Sequence, residues 1–278
     1  KRLTLDITRQ KKHPAALCSN DAVSCYDRII HAIASISMQK TGVLLEPIIC
    51  MFSTNGNLTH NVRIAFGDSE GTYTGNIRIV TLKGVGQGNG AGPAIWAVVS
   101  TPVLNMLRKM GYGTVFKAAI SGESIHFAGF AFVDDTDILQ TTKMDSDDIY
   151  DVATYLQEAI EVWNGGISAT CGALDPNKSY YSVFDFKWKN GRWAYTSMEN
   201  SDDINIRMQE KNGDQVTLRR LSHTKSLKTL GVFLAPDGNN ADEVKYLRAL
   251  AEKYAVKLQK GYLYKQEVYI VFLTPALL

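Results

Sequence analysis

The order of strand-like and helix-like segments along these 278 residues predicts an α+β fold. The segments mix without a regular strand–helix–strand repeat. Two stretches, "SYYSVFDFKWKNGRWAYTS" (179–197) and "INIRMQEKNGDQVTLRRL" (204–221), read as hairpins around Asn-Gly turns. Ile149, Ala153, Leu156, Ile160 and Trp163 recur at helical spacing and mark one amphipathic helix.

The remaining elements follow in chain order. "PAALC" (14–18) is short and apolar, as a buried strand is. Ile29, Ile30, Ile33, Ala34 and Ile36 predict a helix over 26–39, and Pro47 marks the start or a kink of another over 43–53. Residues 61–82 read as strand–turn–strand, with "GDSEG" (67–71) as the turn. A glycine-rich loop, "GVGQGNGAG" (84–92), opens a helix from Pro93 to about Lys109, with Gly111 beyond its end. Residues 125–133 and 136–140 predict a hairpin around Asp134-Asp135. The amphipathic helix should be capped by Ser146 and stopped by Gly165-Gly166. "TLGVFLAPDG" (229–238) adds a strand and a turn, and Asn240 caps a helix to about Gln259. No repeat or linker marks a domain boundary.

Composition sets bounds. With 45% hydrophobic residues the chain can build a sizeable core. A net charge of +2 leaves the question of a polyanionic partner to local charge. No apolar run approaches the roughly 18 residues of a membrane span, and no secretory signal is visible, so no membrane partner is expected. Cys18, Cys25, Cys50 and Cys171 form no close pair, as expected of reduced thiols in an intracellular protein. The histidines are equally dispersed. Oxygen ligands are therefore the expected metal donors, which favours Mg²⁺ or Mn²⁺.

Asp134 and Asp135 stand between apolar Phe132-Val133 and Ile138-Leu139. A lone acid in a tight turn is ordinary, because its side chain bonds nearby amides. Two adjacent acids close to a core repel each other, and a divalent cation would balance them. Asp21 ends the 14–18 strand region and Asp27 opens the following helix, where the helix dipole alone would favour an acid. If the two strands neighbour each other, Asp21 and Asp134 face one another, placed to hold two metals for an in-line phosphoryl displacement.

Five stretches occur in a telling order: "DAVSCYD" (21–27), "GVGQGNGAGP" (84–93), "FVDD" (132–135), "LDPNKS" (174–179) and "TLGVFL" (229–234). Together they resemble motifs A to E of the reverse transcriptases of non-LTR retrotransposons, over about residues 15–234. The resemblance implies a right-hand polymerase palm with a ferredoxin-like antiparallel sheet and helices on one face. It implies partial fingers within 1–238 and the start of a thumb over 239–278. Asp21, Asp134 and Asp135 would be catalytic and would hold two Mg²⁺ (or Mn²⁺) ions, with Asp135 supporting. Tyr26 would be the steric gate against a 2′-hydroxyl, and Gln87 and Gly88 would lie against nucleotide and template. Lys178 would sit near the triphosphate and protonate the leaving pyrophosphate. The partners implied are an RNA or DNA template, a primer strand and dNTPs. Where the family has Pro before the motif B Gln and Ser-Pro after its Gly, this chain has Gly86 and Asn89-Gly90, which predicts a more mobile loop.

The expected activity is RNA-directed DNA synthesis by a retroelement enzyme. An RNA-dependent RNA polymerase shares the palm, but Phe132-Val133 and Tyr26 count against it. A relic that binds nucleic acid without catalysis is a further alternative, against which the carboxylates are all present. A nucleotide cyclase would lack the Gln-Gly helix. Lys83, Arg219, Arg220, Lys225 and Lys228 are the cations expected to meet a duplex.

Overall fold

The computed structural model describes residues 1–74, 83–86, 89–118, 120–144, 146–196, 204–229 and 231–261. Helix α1 (Arg2–Lys11) leads to strand β1 (Ala15–Asp21), a 3₁₀ turn (Tyr26–Arg28), and helices α2 (His31–Lys40) and α3 (Leu45–Gly56). Strands β2 (Thr59–Ile64) and β3 (Gly67–Thr74) precede helix α4 (Gly92–Lys109). Then come β4 (Thr114–Lys117), β5 (Ser124–Phe127), β6 (Gly129–Phe132), β7 (Asp135–Thr141) and helix α5 (Ile149–Ala169). Strands β8 (Tyr180–Phe184), β9 (Phe186–Lys189), β10 (Arg192–Tyr195), β11 (Arg207–Gln209), β12 (Gln215–Thr217) and β13 (Arg219–Arg220) follow. The chain continues through β14 (Leu227–Thr229), β15 (Val232–Leu234) and helix α6 (Ala241–Lys260). The architecture is α+β.

The described residues form two compact units: Lys1 with those of 10–222, and 2–9 with those of 223–261. The first is built on a five-stranded sheet of order β13-β8-β1-β7-β6. All its pairings are antiparallel except β13 with β8. Period-two alternation sorts the strands' residues onto two faces. Ala16, Cys18, Ile138, Tyr181 and Val183 point into the core, where they join Val152, Leu156, Ile160, Trp163 and Ile167 of α5 and Val99 and Val103 of α4. Trp163 Nε1 donates to Asn20 Oδ1 at 3.0 Å and so ties α5 to the end of β1. The opposite face carries Leu17, Ser19 and Asp21 of β1 beside Leu139, Asp137 and Asp135 of β7. The second unit holds the β14–β15 hairpin and α6, joined where Phe233 N donates to Glu243 Oε2 at 2.8 Å.

Several predicted elements need correction. The 26–39 helix is broken, because Ile29 and Ile30 are extended between the 3₁₀ turn and α2. The β2–β3 turn falls at Ala65-Phe66, and "GDSEG" lies in β3, where Ser69 Oγ and Asp68 bond across to β2. The segment 125–133 is two strands: β5 pairs with β4, and β6 with β7. Gly113 (φ +119) makes that change of partner possible, because a Cβ there would lie 2.2 Å from the Phe127 carbonyl oxygen. Asp148, not Ser146, caps α5. Its carboxylate accepts from Tyr150 N and Asp151 N, while Asp151 returns a bond to Asp148 N.

Helix α5 also runs through Gly165-Gly166 to Ala169 instead of stopping there. The two glycines differ in purpose. A Cβ at Gly166 would meet Val103 Cγ1 of α4 at 2.3 Å, whereas one at Gly165 would meet nothing within 4 Å. Gly166 thus sets how closely α4 and α5 approach, and Gly165 only weakens the helix. Gly166→Ala is expected to destabilise the chain by about 1–3 kcal/mol through overpacking. Gly165→Ala should stabilise it by about 0.5–1 kcal/mol. Urea unfolding midpoints of the two variants test this, and equal shifts would rule out the packing role.

Candidate active site

Strand β1 ends at the candidate acids because its neighbour does. In the β1–β7 ladder Asp21 is the register partner of Asp135, and Ser19 that of Asp137. Directly opposed residues share a face with Cβ atoms about 4.5–5.5 Å apart. The acid opposite Asp21 is therefore Asp135, where the sequence pointed to Asp134. Asp134 occupies the β6–β7 turn, and its carbonyl oxygen accepts from Ala22 N at 3.0 Å, extending the ladder past the last strand residue. The turn is tight enough to force Val133 to φ +56, a left-handed conformation that costs a β-branched residue about 1–2 kcal/mol.

The 174–179 segment closes the other side of Asp21. Asp175 N donates to Asp21 O at 2.9 Å and Val23 N to Ala173 O at 2.8 Å. The Asp175 side chain accepts from Asn177 N, and Ser179 Oγ bonds Asp175 O at 2.7 Å, so "DPNKS" is a self-bonded turn. It delivers Lys178 Nζ to Asp21 Oδ2 at 3.1 Å, with Asp175 Oδ2 at 3.9 Å. The hydrogen bond and charge of Asp21 raise the Lys178 pKa, with Asp175 and Asp134 adding, so the group stays an ammonium.

Tyr26 lies near Asp134. Its ring packs against Gly92, the first residue of α4, where an added Cβ would sit 3.4 Å from the ring. Burial raises its pKa, and the nearby Cys25 and Asp134 add to the rise. The glycine loop reaches this turn through its backbone. Gly84 N donates to Ile29 O at 2.8 Å, Val85 N to Tyr26 O at 3.1 Å, and His31 Nε2 bonds Gly84 O at 2.7 Å. Gly84 has φ +83, and a Cβ there would lie 2.6 Å from Asp27 Cα, so only glycine fits. Asn89 Oδ1 accepts from Ala91 N at 3.0 Å beside the start of α4. Gln87 and Gly88 lie outside the described residues.

The charge at this sheet end is unbalanced. Desolvation raises the Asp135 pKa, repulsion from Asp134, Asp21 and Asp137 raises it further, and Lys1 opposes. Asp137, two residues along the strand on the same face, is buried and bonds Lys1 Nζ at 2.8 Å. Its i+2 spacing from Asp135 was the sequence signal for it. Cys25, pushed up to about 11 by burial and then by Asp134, stays a thiol. Hard oxygen donors with excess negative charge fit a divalent cation in chemistry. Among the described residues, however, no three acids, histidines or cysteines converge as a ready-made metal cage. In the present arrangement the Lys178 ammonium supplies the positive charge at Asp21.

The other expected cations scatter. Lys83 and Lys225 are exposed, and Arg219 and Arg220 lie on β13. In the second unit Lys228 Nζ sits 4.4 Å from the Tyr246 ring centroid. All four cysteines are free thiols. No helix among the described residues is long and apolar enough to cross a membrane.

An α+β chain with a cluster of carboxylates at the end of two central strands is thus defined by fold and site. No known family matches its sequence, and no curated protein does either. Among solved structures it is similar to an apo telomerase from Candida tropicalis truncated from its C-terminal domain. The identity is 13% and the TM-score 0.42, over 77% of this chain and 38% of that one. This chain therefore spans well under half the length of that structure.

The raised Asp135 pKa fixes a sign for pH dependence. With its folded value above the ordinary 3.8, the folded chain binds more protons in the window just above 3.8. The contribution of this group to stability therefore falls as pH rises through that window. Asp135→Asn should raise stability at neutral pH and flatten the decline of stability that begins just above pH 3.8. Unfolding midpoints measured across that window test it, and a wild-type slope in the variant would reject it.

Proposed function

We propose that this chain is the palm-centred core of a reverse transcriptase of the non-LTR retroelement type. It would extend a primer 3′-hydroxyl with dNTPs along an RNA or DNA template. The observation that carries the reading is the pairing of Asp21 with Asp135, next to Asp134, on the sheet face turned away from α5. The motif order and the approach of Lys178 and Tyr26 to the same acids support it.

Each residue then has a task. Asp21, Asp134 and Asp135 would hold two Mg²⁺ (or Mn²⁺) ions, which when bound supply charge neutralisation for the attacking and leaving oxygens. The primer 3′-hydroxyl gives up its proton to solvent and its oxygen forms a bond to the α-phosphorus of the dNTP as the bond to the bridging oxygen breaks. Lys178 moves from Asp21 to the triphosphate and gives a proton to the departing pyrophosphate. Tyr26, held from behind by Gly92, presents its ring to the sugar. A 2′-hydroxyl there costs about 1–3 kcal/mol of strain, or roughly 5–150-fold in selection. Gln87 and Gly88 contribute to nucleotide and template contact, as glycine permits close backbone approach.

Primer extension with RNA and DNA templates, dNTPs and rNTPs tests the reading. Asp134→Asn should abolish synthesis with either nucleotide while the circular dichroism spectrum stays that of wild type. Tyr26→Ala should keep synthesis and relax dNTP preference by roughly 5–150-fold. A wild-type preference for rNTPs would place the enzyme among RNA-synthesising polymerases. Absence of synthesis under all conditions would favour a binding relic.

A further inference from the structure

Following the Lys178 turn in chain order, the β9–β10 ribbon has a composition that neither the fold nor the candidate active site uses. Phe186–Lys189 pairs with Arg192–Tyr195 around Asn190-Gly191, whose φ values of +53 and +74 suit a two-residue turn. Register partners and period-two alternation sort its side chains completely. Phe186, Trp188, Trp193 and Tyr195 share one face, and Lys187, Lys189 and Arg192 the other. Phe186 and Tyr195, with ring centroids 4.8 Å apart, form the root, and Phe186 is buried. At the tip Trp188 and Trp193 cross edge to face at 5.5 Å. They remain 62% and 48% exposed, whereas the other two tryptophans, Trp96 and Trp163, are 4% and 1% exposed.

We propose that this ribbon binds single-stranded nucleic acid, with unpaired bases stacking on Trp188 and Trp193 and phosphates meeting Lys187, Lys189 and Arg192. Charge complementarity favours a polyanion. Residues 186–195 hold three cations and no acid, in a chain whose net charge is only +2. Lys187 and Lys189 lie two residues apart on one strand, about 7 Å, so the charge forms a track and not a point. The ribbon is only two strands wide, about 5 Å, and these long flexible side chains have the length to meet phosphates that pass along its edge. Lys12, whose Nζ sits 5.2 Å from the Phe186 ring centroid, already adds a cation on the aromatic face. An edge-to-face tryptophan pair leaves a ring face open, and only an unpaired base can offer its own face to it. The proposal is independent of the acids at Asp21 and Asp135, and so extends beyond nucleotidyl transfer.

The intrinsic fluorescence of the whole chain tests it, because two of the tryptophans are buried and quenching by a ligand reports the ribbon. The probes are single-stranded oligouridylate and oligodeoxythymidylate of twelve nucleotides, and vesicles of neutral or anionic phospholipid. Both oligonucleotides are expected to quench the exposed tryptophans. Trp188→Ala and Trp193→Ala should each weaken binding by about 5–150-fold with unchanged thermal melting. The Lys187→Ala/Lys189→Ala/Arg192→Ala variant should lower the slope of log affinity against log salt by about 2. Wild-type oligonucleotide affinity in both tryptophan variants would overturn the proposal. So would vesicle binding that depends on the tryptophans while oligonucleotide binding does not, which would mark a membrane surface. The assay needs no synthesis, so its failure leaves the polymerase reading standing, and failure of primer extension leaves this one standing.

Discussion

The register of β1 against β7 is the constraint on which the candidate site depends. Asp21 and Asp135 oppose one another only because Cys18 opposes Ile138 and Leu17 opposes Leu139. A slip of one residue would turn Asp21 towards α5 and expose the core set. The apolar residues therefore fix the position of the acids. Trp163, bonded to Asn20 on the core face, locks the strand end immediately beside Asp21.

Around that register the chain tolerates local cost. Val133 takes a left-handed backbone so that Asp134 can leave the strand while its carbonyl still bonds Ala22. Gly84 takes another so that the glycine loop can lie directly on the backbone of Asp27. The acids themselves repel, as the raised Asp135 pKa records, and Lys178 and Lys1 offset part of that repulsion. Packing and hydrogen bonds elsewhere in the sheet must hold such an arrangement in place, which is the usual setting of strained functional residues.

The cationic and aromatic residues show how little net charge says about partners. The whole chain is nearly neutral, yet the β9–β10 ribbon gathers three cations behind two exposed tryptophans. Such local segregation follows from strand periodicity. Alternate residues of one short hairpin are sent to opposite faces whatever the rest of the chain contains.

By itself the sequence determined the mixed class, the Asn-Gly hairpins and the span of α4, and it raised the pairing of strand β1 with the 134–135 hairpin only as a condition. The first three rest on local periodicity, turn chemistry and capping, which act over a few residues. It also marked Asp21, Tyr26, Asp134, Asp135 and Lys178 through the order of motifs. Tertiary structure alone decided that Asp135 and not Asp134 opposes Asp21, since register depends on which apolar residues meet across the sheet. It alone joined Lys178 to Asp21, 157 residues away in the chain. It sent β5 to β4 and let α5 continue through Gly165-Gly166, because Val103 of α4 requires the missing Cβ at Gly166. No local pattern encodes such contacts, because their energy arises only when segments distant in sequence are packed together.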